Sequence, residues 1–160
     1  MLVGIMSDSH DDMQRLAAGV DFFNSKKVSQ VVHAGDLISP FTFEALGKLD
    51  CPFSAIFGNN DGDRLLLHHK SDGTVQPQPM LLALEDRKAI VVHEPTSVEA
   101  LAKSGEFDIV IYGHTHTAVV KKVGETLVIN PGKVARLHKG QSTLALLDTE
   151  KLEVEIVSDF

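Results

Sequence analysis

The sequence predicts an α/β protein whose first two thirds build a largely parallel sheet and whose last third adds antiparallel strands. Two observations carry this. Up to residue 112, short apolar, β-branched runs alternate with segments of helical periodicity, as βαβ units do. After residue 117 the runs follow one another with turns between them and no clear helical pattern. Taken in order, residues 2–6 read as a buried strand. Met13, Leu16, Ala17, Val20 and Phe23 then recur at helical spacing, with Asp11 or Asp12 as the N-cap. Val31-Val32 is the second strand, and Phe41, Phe43, Leu46 and Leu49 predict a helix after Pro40. Residues 53–57 form the third strand, with a helix beginning near Arg64. Residues 70–79 (Lys-Ser-Asp-Gly-Thr-Val-Gln-Pro-Gln-Pro) read as a mobile surface loop. Residues 89–92 and 109–112 are two more buried strands, flanking a helix over Val98–Lys103 after Pro95. Residues 117–123, 126–130, 142–148 and 152–157 then read as a meander or as hairpins, turning at Gly124, Pro131-Gly132 and Thr149-Glu150.

A chain of 160 residues fits one domain spanning 1–160. Hydrophobic residues are 43% and charged residues 23% of it, a balance that argues against disorder. No apolar stretch approaches the roughly 18 residues needed to span a bilayer. The start, Met1-Leu2-Val3-Gly4-Ile5-Met6, has no basic n-region and reaches Asp8 at once, so no signal peptide is read and a cytoplasmic location is expected. The lone cysteine, Cys51, has no internal partner and reads as a small buried hydrophobe. The net charge of −7 and the lack of a basic cluster argue against binding to extended nucleic acid. One phosphate held by a metal remains compatible, because the metal supplies the positive charge locally.

The informative residues sit where the apolar runs end. The first run leads into Ser7-Asp8-Ser9-His10, the second into His33-Ala34-Gly35-Asp36, and the third into Gly58-Asn59-Asn60-Asp61. The fourth ends at His93 and the fifth at Gly113-His114-Thr115-His116. In open α/β sheets ligands bind beyond the carboxyl ends of the strands, so these groups can converge. Taken singly, each has an ordinary reading as a cap, a turn residue or a satisfied buried histidine. Jointly those readings would need a separate coincidence at each strand end. Oxygen donors from Asp8, Asp36 and Asn59, mixed with the imidazoles of His10, His93, His114 and His116, suit divalent Mn, Fe, Co, Ni or Zn. Seven ligands are too many for one such ion and enough for two if a carboxylate bridges. Two ions about 3.5–4 Å apart clamp an attacking hydroxide and a phosphate. The residues therefore suggest a binuclear hydrolase of phosphate esters.

The blocks Asp8-Ser9-His10, Gly35-Asp36, Gly58-Asn59-Asn60-Asp61, His93 and Gly113-His114-Thr115-His116, in this order, resemble those of the calcineurin-like metallophosphoesterases. The likeness is nearest to the small YfcE-like phosphodiesterases, which also carry an Asn-Pro-Gly such as Asn130-Pro131-Gly132. The resemblance implies a four-layer sandwich of two mixed β-sheets flanked by helices. It implies two divalent ions, with manganese the first choice and Ni, Co, Fe, Zn or Mg the others. Asp8, His10, Asp36 and His116 would hold one ion and Asp36, Asn59, His93 and His114 the second, with Asp36 bridging. A metal-bridging hydroxide would attack the phosphorus of a small phosphodiester in line. A phosphomonoesterase is the near alternative. A binding scaffold resembling the retromer subunit of the same fold is the distant one, and the full ligand set argues against it. No organic cofactor, membrane or nucleic acid is implied. A homo-oligomer is compatible but unsupported by any residue pattern.

Two positions depart from the family pattern. Asn60 stands where many members have a histidine that protonates the leaving group. An amide can position a phosphate oxygen but supplies no proton at neutral pH, so alkyl esters should turn over slowly. Glu94-Pro95 replaces the glycine that commonly follows His93, and Glu94 either points away or ligates metal. Asp61, assigned with Asn60 to the catalytic set, would either cap the helix near Arg64 or bond Asn60. Lys133 and Arg136 are the only basic candidates for the cleft, although a solvated loop is the plainer reading. His33 reads as structural, His68-His69 as solvated and His138 as exposed. Ser7 and Ser9 lack a base pattern, which disfavours a serine hydrolase. Phe22, Phe23, Phe41 and Phe43 read as core.

Overall fold

The computed structural model describes residues 1–136, 140–158 and 160. Two mixed sheets pack face to face, each covered by helices on its outer side. The first has the order β11-β10-β1-β2-β3-β4. Its parallel core is β1 (Leu2–Met6), β2 (Gln30–His33), β3 (Phe53–Ile56) and β4 (Val75–Gln76), and β10 (Thr143–Asp148) and β11 (Glu153–Ser158) add antiparallel strands. The second sheet runs β5 (Met80–Leu84), β6 (Arg87–Val91), β7 (Ile109–Ile111), β9 (Thr126–Pro131), β8 (Ala118–Val123). There β6, β7 and β9 are parallel, and β5 and β8 pair antiparallel at the edges.

Between the sheets lies a dry layer in which Val3, Ile5, Val32 and Ile56 meet Val91, Ile109, Ile111 and Ile129. Strands buried on both faces need apolar residues on both, which is why β1, β2 and β7 read as continuous apolar runs. On the outer face of the first sheet, helix α1 (Met13–Lys26) buries Leu16, Val20 and Phe23, each contributing about 1.5–3 kcal/mol. Asp12 caps it by accepting a hydrogen bond from the Arg15 amide at 3.1 Å. Helices α2 (Phe43–Leu46) and α3 (Arg64–Lys70) share that face through Ala45, Leu46 and Leu67. On the far side, α4 (Val98–Lys103) packs Val98 and Ala102 against Ile90, Val110 and Val128.

Of the two readings of the last strands, hairpins hold: there are two, antiparallel, one in each sheet, because residues 131–136 cross between the sheets after Pro131-Gly132. Two other expectations change. Residues 70–79 are not simply a surface loop: Val75 is fully buried and β4 extends the first sheet beside β3. Strand β5 follows it, without a β-branched residue to announce it. Phe41 is 68% exposed in a 3-10 turn over Pro40–Thr42 and is not core. His138 lies outside the described residues.

Candidate metal centre

Strand ends from both sheets meet at one edge of the sandwich. Asp8 and His10 follow β1, Asp36 follows β2 and Asn59 follows β3; His93 follows β6, and His114 and His116 follow β7. Asp8, His10, Asp36, His114 and His116 all adopt positive φ, between 43° and 65°. Left-handed backbone is uncommon outside glycine, and a group of such residues in one place marks a shape held by its surroundings. Those surroundings are identifiable. The Asp8 amide donates to the Gly35 carbonyl at 3.0 Å, the His10 amide to Asp36 at 3.1 Å, and the Gly113 amide to His93 at 3.1 Å. A Cβ on Gly113 would collide with the Ser7 hydroxyl and the Asp8 carboxylate, and one on Gly58 with the Asp36 carboxylate. Both positions therefore require glycine so that backbone can lie against the ligands.

The structure brings all seven expected ligands together in two overlapping groups. In the first, the Nε2 atoms of His10 and His116 face each other at 3.3 Å, and they lie 3.6 and 3.2 Å from Asp8 Oδ1. In the second, Asn59 Oδ1 lies 3.0 Å from His93 Nε2 and 2.7 Å from His114 Nδ1. Asp36 stands between them, its Oδ2 3.3 Å from His93 Nε2 and 3.6 Å from His10 Nε2. The two imidazole pairs, His10–His116 and His93–His114, are both edge-to-face with ring centres 5.2 Å apart.

This donor set fits divalent cations. Asp8 Oδ2 is occupied by the Ser7 hydroxyl at 2.6 Å and the His114 amide at 3.0 Å, while its buried Oδ1 accepts no hydrogen bond among the described residues. His93 Nδ1 lies 2.7 Å from the Ala34 carbonyl, so that nitrogen carries the hydrogen. In a neutral ring, Nε2 is then a bare acceptor aimed at two further acceptors, Asn59 Oδ1 and Asp36 Oδ2. Acceptors gathered at such distances need a proton or a cation between them, and a backbone carbonyl behind the imidazole is the usual support of a metal-binding histidine.

The charges agree. Burial works to raise the Asp36 carboxyl, but the adjacent His93 ring and the hydrogen bonds from Asn60 outweigh it and hold the group well below the ordinary carboxylate range. Asp8 is likewise lowered, as His10 and Ser7 overcome its burial. His10 is raised, chiefly by the neighbouring Asp8 carboxylate. His93 is raised because Asp36 and the Ala34 carbonyl overcome a burial penalty. His116 is lowered by burial.

Asn60 and Asp61 lie beside the cluster in different ways. Asn60 donates to Asp36 twice, from its backbone and its side-chain amide, each at 2.8 Å. Asp61 takes neither expected role. It accepts the backbone amides of Asp36, Ile38 and Gly58 at 3.0, 2.7 and 2.7 Å, and Asp63 caps α3 instead. Glu94 takes a hydrogen bond from the Gln78 side chain, whose Oε1 accepts the His93 amide at 2.7 Å. Lys133 is 2% exposed, against the solvated-loop reading, while Arg136 is exposed. His33 is structural: its Nδ1 accepts the Gly35 amide and its Nε2 meets the Ser9 hydroxyl at 3.0 Å.

Sequence reasoning misses three positioning residues. Ser7 was read only for its lack of a base. Gln78 is hidden among Ser, Gly and Pro. Asn130 donates to the Gly113 carbonyl at 2.8 Å and to Thr115 Oγ1 at 3.1 Å, and accepts the Gly132 amide at 2.9 Å. Its signal was its place at a strand end before Pro-Gly.

Comparison with known proteins bears on this geometry. Residues 1–152 match the model of the calcineurin-like phosphoesterase superfamily domain. Phosphodiesterase MJ0936 of Methanocaldococcus jannaschii is 36% identical over 159 residues, covering 96% of both chains. Phosphodiesterase YfcE of Escherichia coli K12 is 25% identical over 173 residues, covering 96% of this chain and 90% of that one. The solved structure of an archaeal phosphodiesterase superposes with a TM-score of 0.92 at 35% identity, over 99% of both chains. The chain belongs to the calcineurin-like phosphoesterase superfamily, among relatives of the small YfcE-like branch.

Proposed function

We propose that this phosphoesterase hydrolyses small phosphodiesters with two divalent metal ions, manganese first among Mn, Ni, Co, Fe, Zn and Mg. Asp8, His10, Asp36 and His116 would hold one ion. Asp36, Asn59, His93 and His114 would hold the other, with Asp36 shared. The observation that carries this reading is the crowding of bare acceptors, above all the buried and unbonded Asp8 Oδ1 facing His10 and His116. Bound there, the ions would lower the pKa of water toward neutrality and stabilise charge on the phosphate oxygens.

The chain's own residues do the rest by holding shape. Ser7 and the His114 amide occupy Asp8 Oδ2, so only Oδ1 is offered to a cation. The Ala34 carbonyl fixes the tautomer of His93 so that Nε2 is the ligating atom. Asp61 ties the loops after β2 and β3 together through three backbone amides, which sets the distance between Asp36 and Asn59. Asn60 can donate to a phosphate oxygen but cannot protonate a departing alkoxide, so aryl diesters should be cleaved much faster than alkyl diesters. The ligands come from both sheets, so the reading treats residues 1–160 as one domain. The lone Cys51 suits a cytoplasmic setting. Among the described residues no helix is long and apolar enough to cross a membrane.

The test is hydrolysis of a chromogenic aryl phosphodiester by metal-stripped protein, with Mn, Ni, Co, Zn or Mg restored separately. A phosphomonoester runs alongside, with Asp36→Asn and His114→Ala as controls. Metal-dependent diester cleavage that both variants lose is expected. A faster monoester rate would reverse the substrate assignment, and no turnover by protein carrying two ions would overturn the enzymatic reading.

A further inference from the structure

We infer that Asn60 is a positioning amide whose side-chain bond to Asp36 gives way when two ions share that carboxylate and passes to the substrate phosphate. The inference rests on the two-metal reading above and concerns what the side chain of Asn60 does within it. Asn60 grips both oxygens of Asp36, its backbone N–H on Oδ1 and its Nδ2 on Oδ2, at 2.8 Å each. The backbone bond cannot swing away, because the adjacent Asp61 is tied to three amides of the surrounding loops. The carboxylate is therefore fixed with Oδ2 toward both histidine groups, 3.3 Å from His93 Nε2 and 3.6 Å from His10 Nε2.

A carboxylate oxygen has two lone pairs. Cations held on the His93 side and on the His10 side would together use both. The Asn60 carboxamide is then a third claimant on an oxygen with nothing left to give. One ion leaves a lone pair for the amide, and two do not. Release is inexpensive in structural respects, since Asn60 is exposed and its departure strands no buried donor. The freed NH2 group carries two donors at the mouth of the site, where a phosphate held by the ions presents oxygens. The hydrogen bond that opposes the second ion is thereby regained on the substrate. Metal loading and phosphate binding become coupled through one side chain.

The experiment uses the full chain labelled with nitrogen-15 and titrated with diamagnetic zinc, counting bound zinc in the same sample by calorimetry. The Asn60 carboxamide signals are identified by their loss in Asn60→Ala, and their exchange with water is followed. Protection in the metal-free chain is expected to persist through the first equivalent of zinc, vanish with the second and return on adding inorganic phosphate. Asn60→Ala should bind the second zinc at least as tightly as the wild type and phosphate about tenfold more weakly, the worth of one hydrogen bond to a charged acceptor. An amide unprotected without metal, or still protected with two zinc ions, overturns the inference and leaves the two-metal reading intact. Release without recovery on phosphate overturns the handover. Failure to bind two zinc ions overturns both, and the zinc count separates that case from the others.

Discussion

Replacing His33 with glutamine should flatten the pH dependence of stability between neutrality and mild acid. His33 lies fully buried at the end of β2, and burial pushes its pKa down from 6.5 to about 4. Its neighbours require the neutral ring, since the Gly35 amide donates to Nδ1 while Nε2 faces Ser9. Between about pH 6.5 and 4 the unfolded chain protonates this imidazole and the folded chain does not. The unfolded state then binds more protons, so stability rises with pH through that window and falls as the solution is acidified. At about 1.4 kcal/mol per pKa unit, the gap amounts to about 3 kcal/mol lost on going from about pH 7 to about pH 4. Urea unfolding of metal-free wild type and His33→Gln across that range measures it. Asp8, Asp36, His10 and His93 also titrate, but they do so in both proteins and cancel in the difference. The wild type should lose about 3 kcal/mol more than the variant. Parallel profiles for the two proteins would refute the reasoning.

Other changes probe the frame around the ligands. Gly113→Ala drives a methyl into Ser7 and Asp8, and should cost about 1–3 kcal/mol of thermal stability and weaken zinc binding by calorimetry. Asn130→Ala removes the two bonds that pin the loop of His114 and His116, and a 10–100-fold loss of metal affinity, the usual cost of losing such support, is expected. Glu94→Gly should leave metal affinity unchanged within about twofold, because the Glu94 carboxylate is held by Gln78; Gln78→Ala, which frees the His93 backbone, should weaken it by more than tenfold. An equal effect of these two variants in calorimetry would mean that Glu94 itself contacts the ion.

The convergence of the candidate ligands was legible because chemistry and periodicity disagree at strand ends. A buried apolar run that stops at Asp, Asn or His has no packing reason for that residue. The supporting residues were not legible, because a glutamine in a loop and an asparagine before proline look like ordinary turn chemistry until the chain is folded. Asp61 was misplaced for a related reason: an acid just before a helix resembles a cap, yet Asp63 does that work and Asp61 turns to the amides of the loop after β2 and of its own loop. Strand β5 was hidden by its composition, Met-Leu-Leu-Ala-Leu, in which leucine and alanine favour helix and Leu81 is 65% exposed. Phe41 shows the converse, a large apolar residue left on the surface where periodicity would bury it. Lys133 is buried for a topological reason: residues 134 and 135 donate backbone bonds to Ser7 and Asp8 as the chain passes between the sheets.

The division of the candidate ligands between sheets would make a metal held there a clasp. Asp8, His10, Asp36 and Asn59 belong to one half of the sandwich and His93, His114 and His116 to the other. Any cation shared by the two halves must lose its coordination before the halves can part, so its binding free energy is added to the work of separating them. By mass action that contribution is RT ln(1 + [M]/Kd), about 4 kcal/mol at a thousandfold excess over Kd. Chelation would therefore loosen the molecule at this edge first, and amide exchange at the ends of β1 and β7 would report it before the centres of the same strands. A catalyst assembled across a seam is also a gauge of that seam, active only while both sheets are in register.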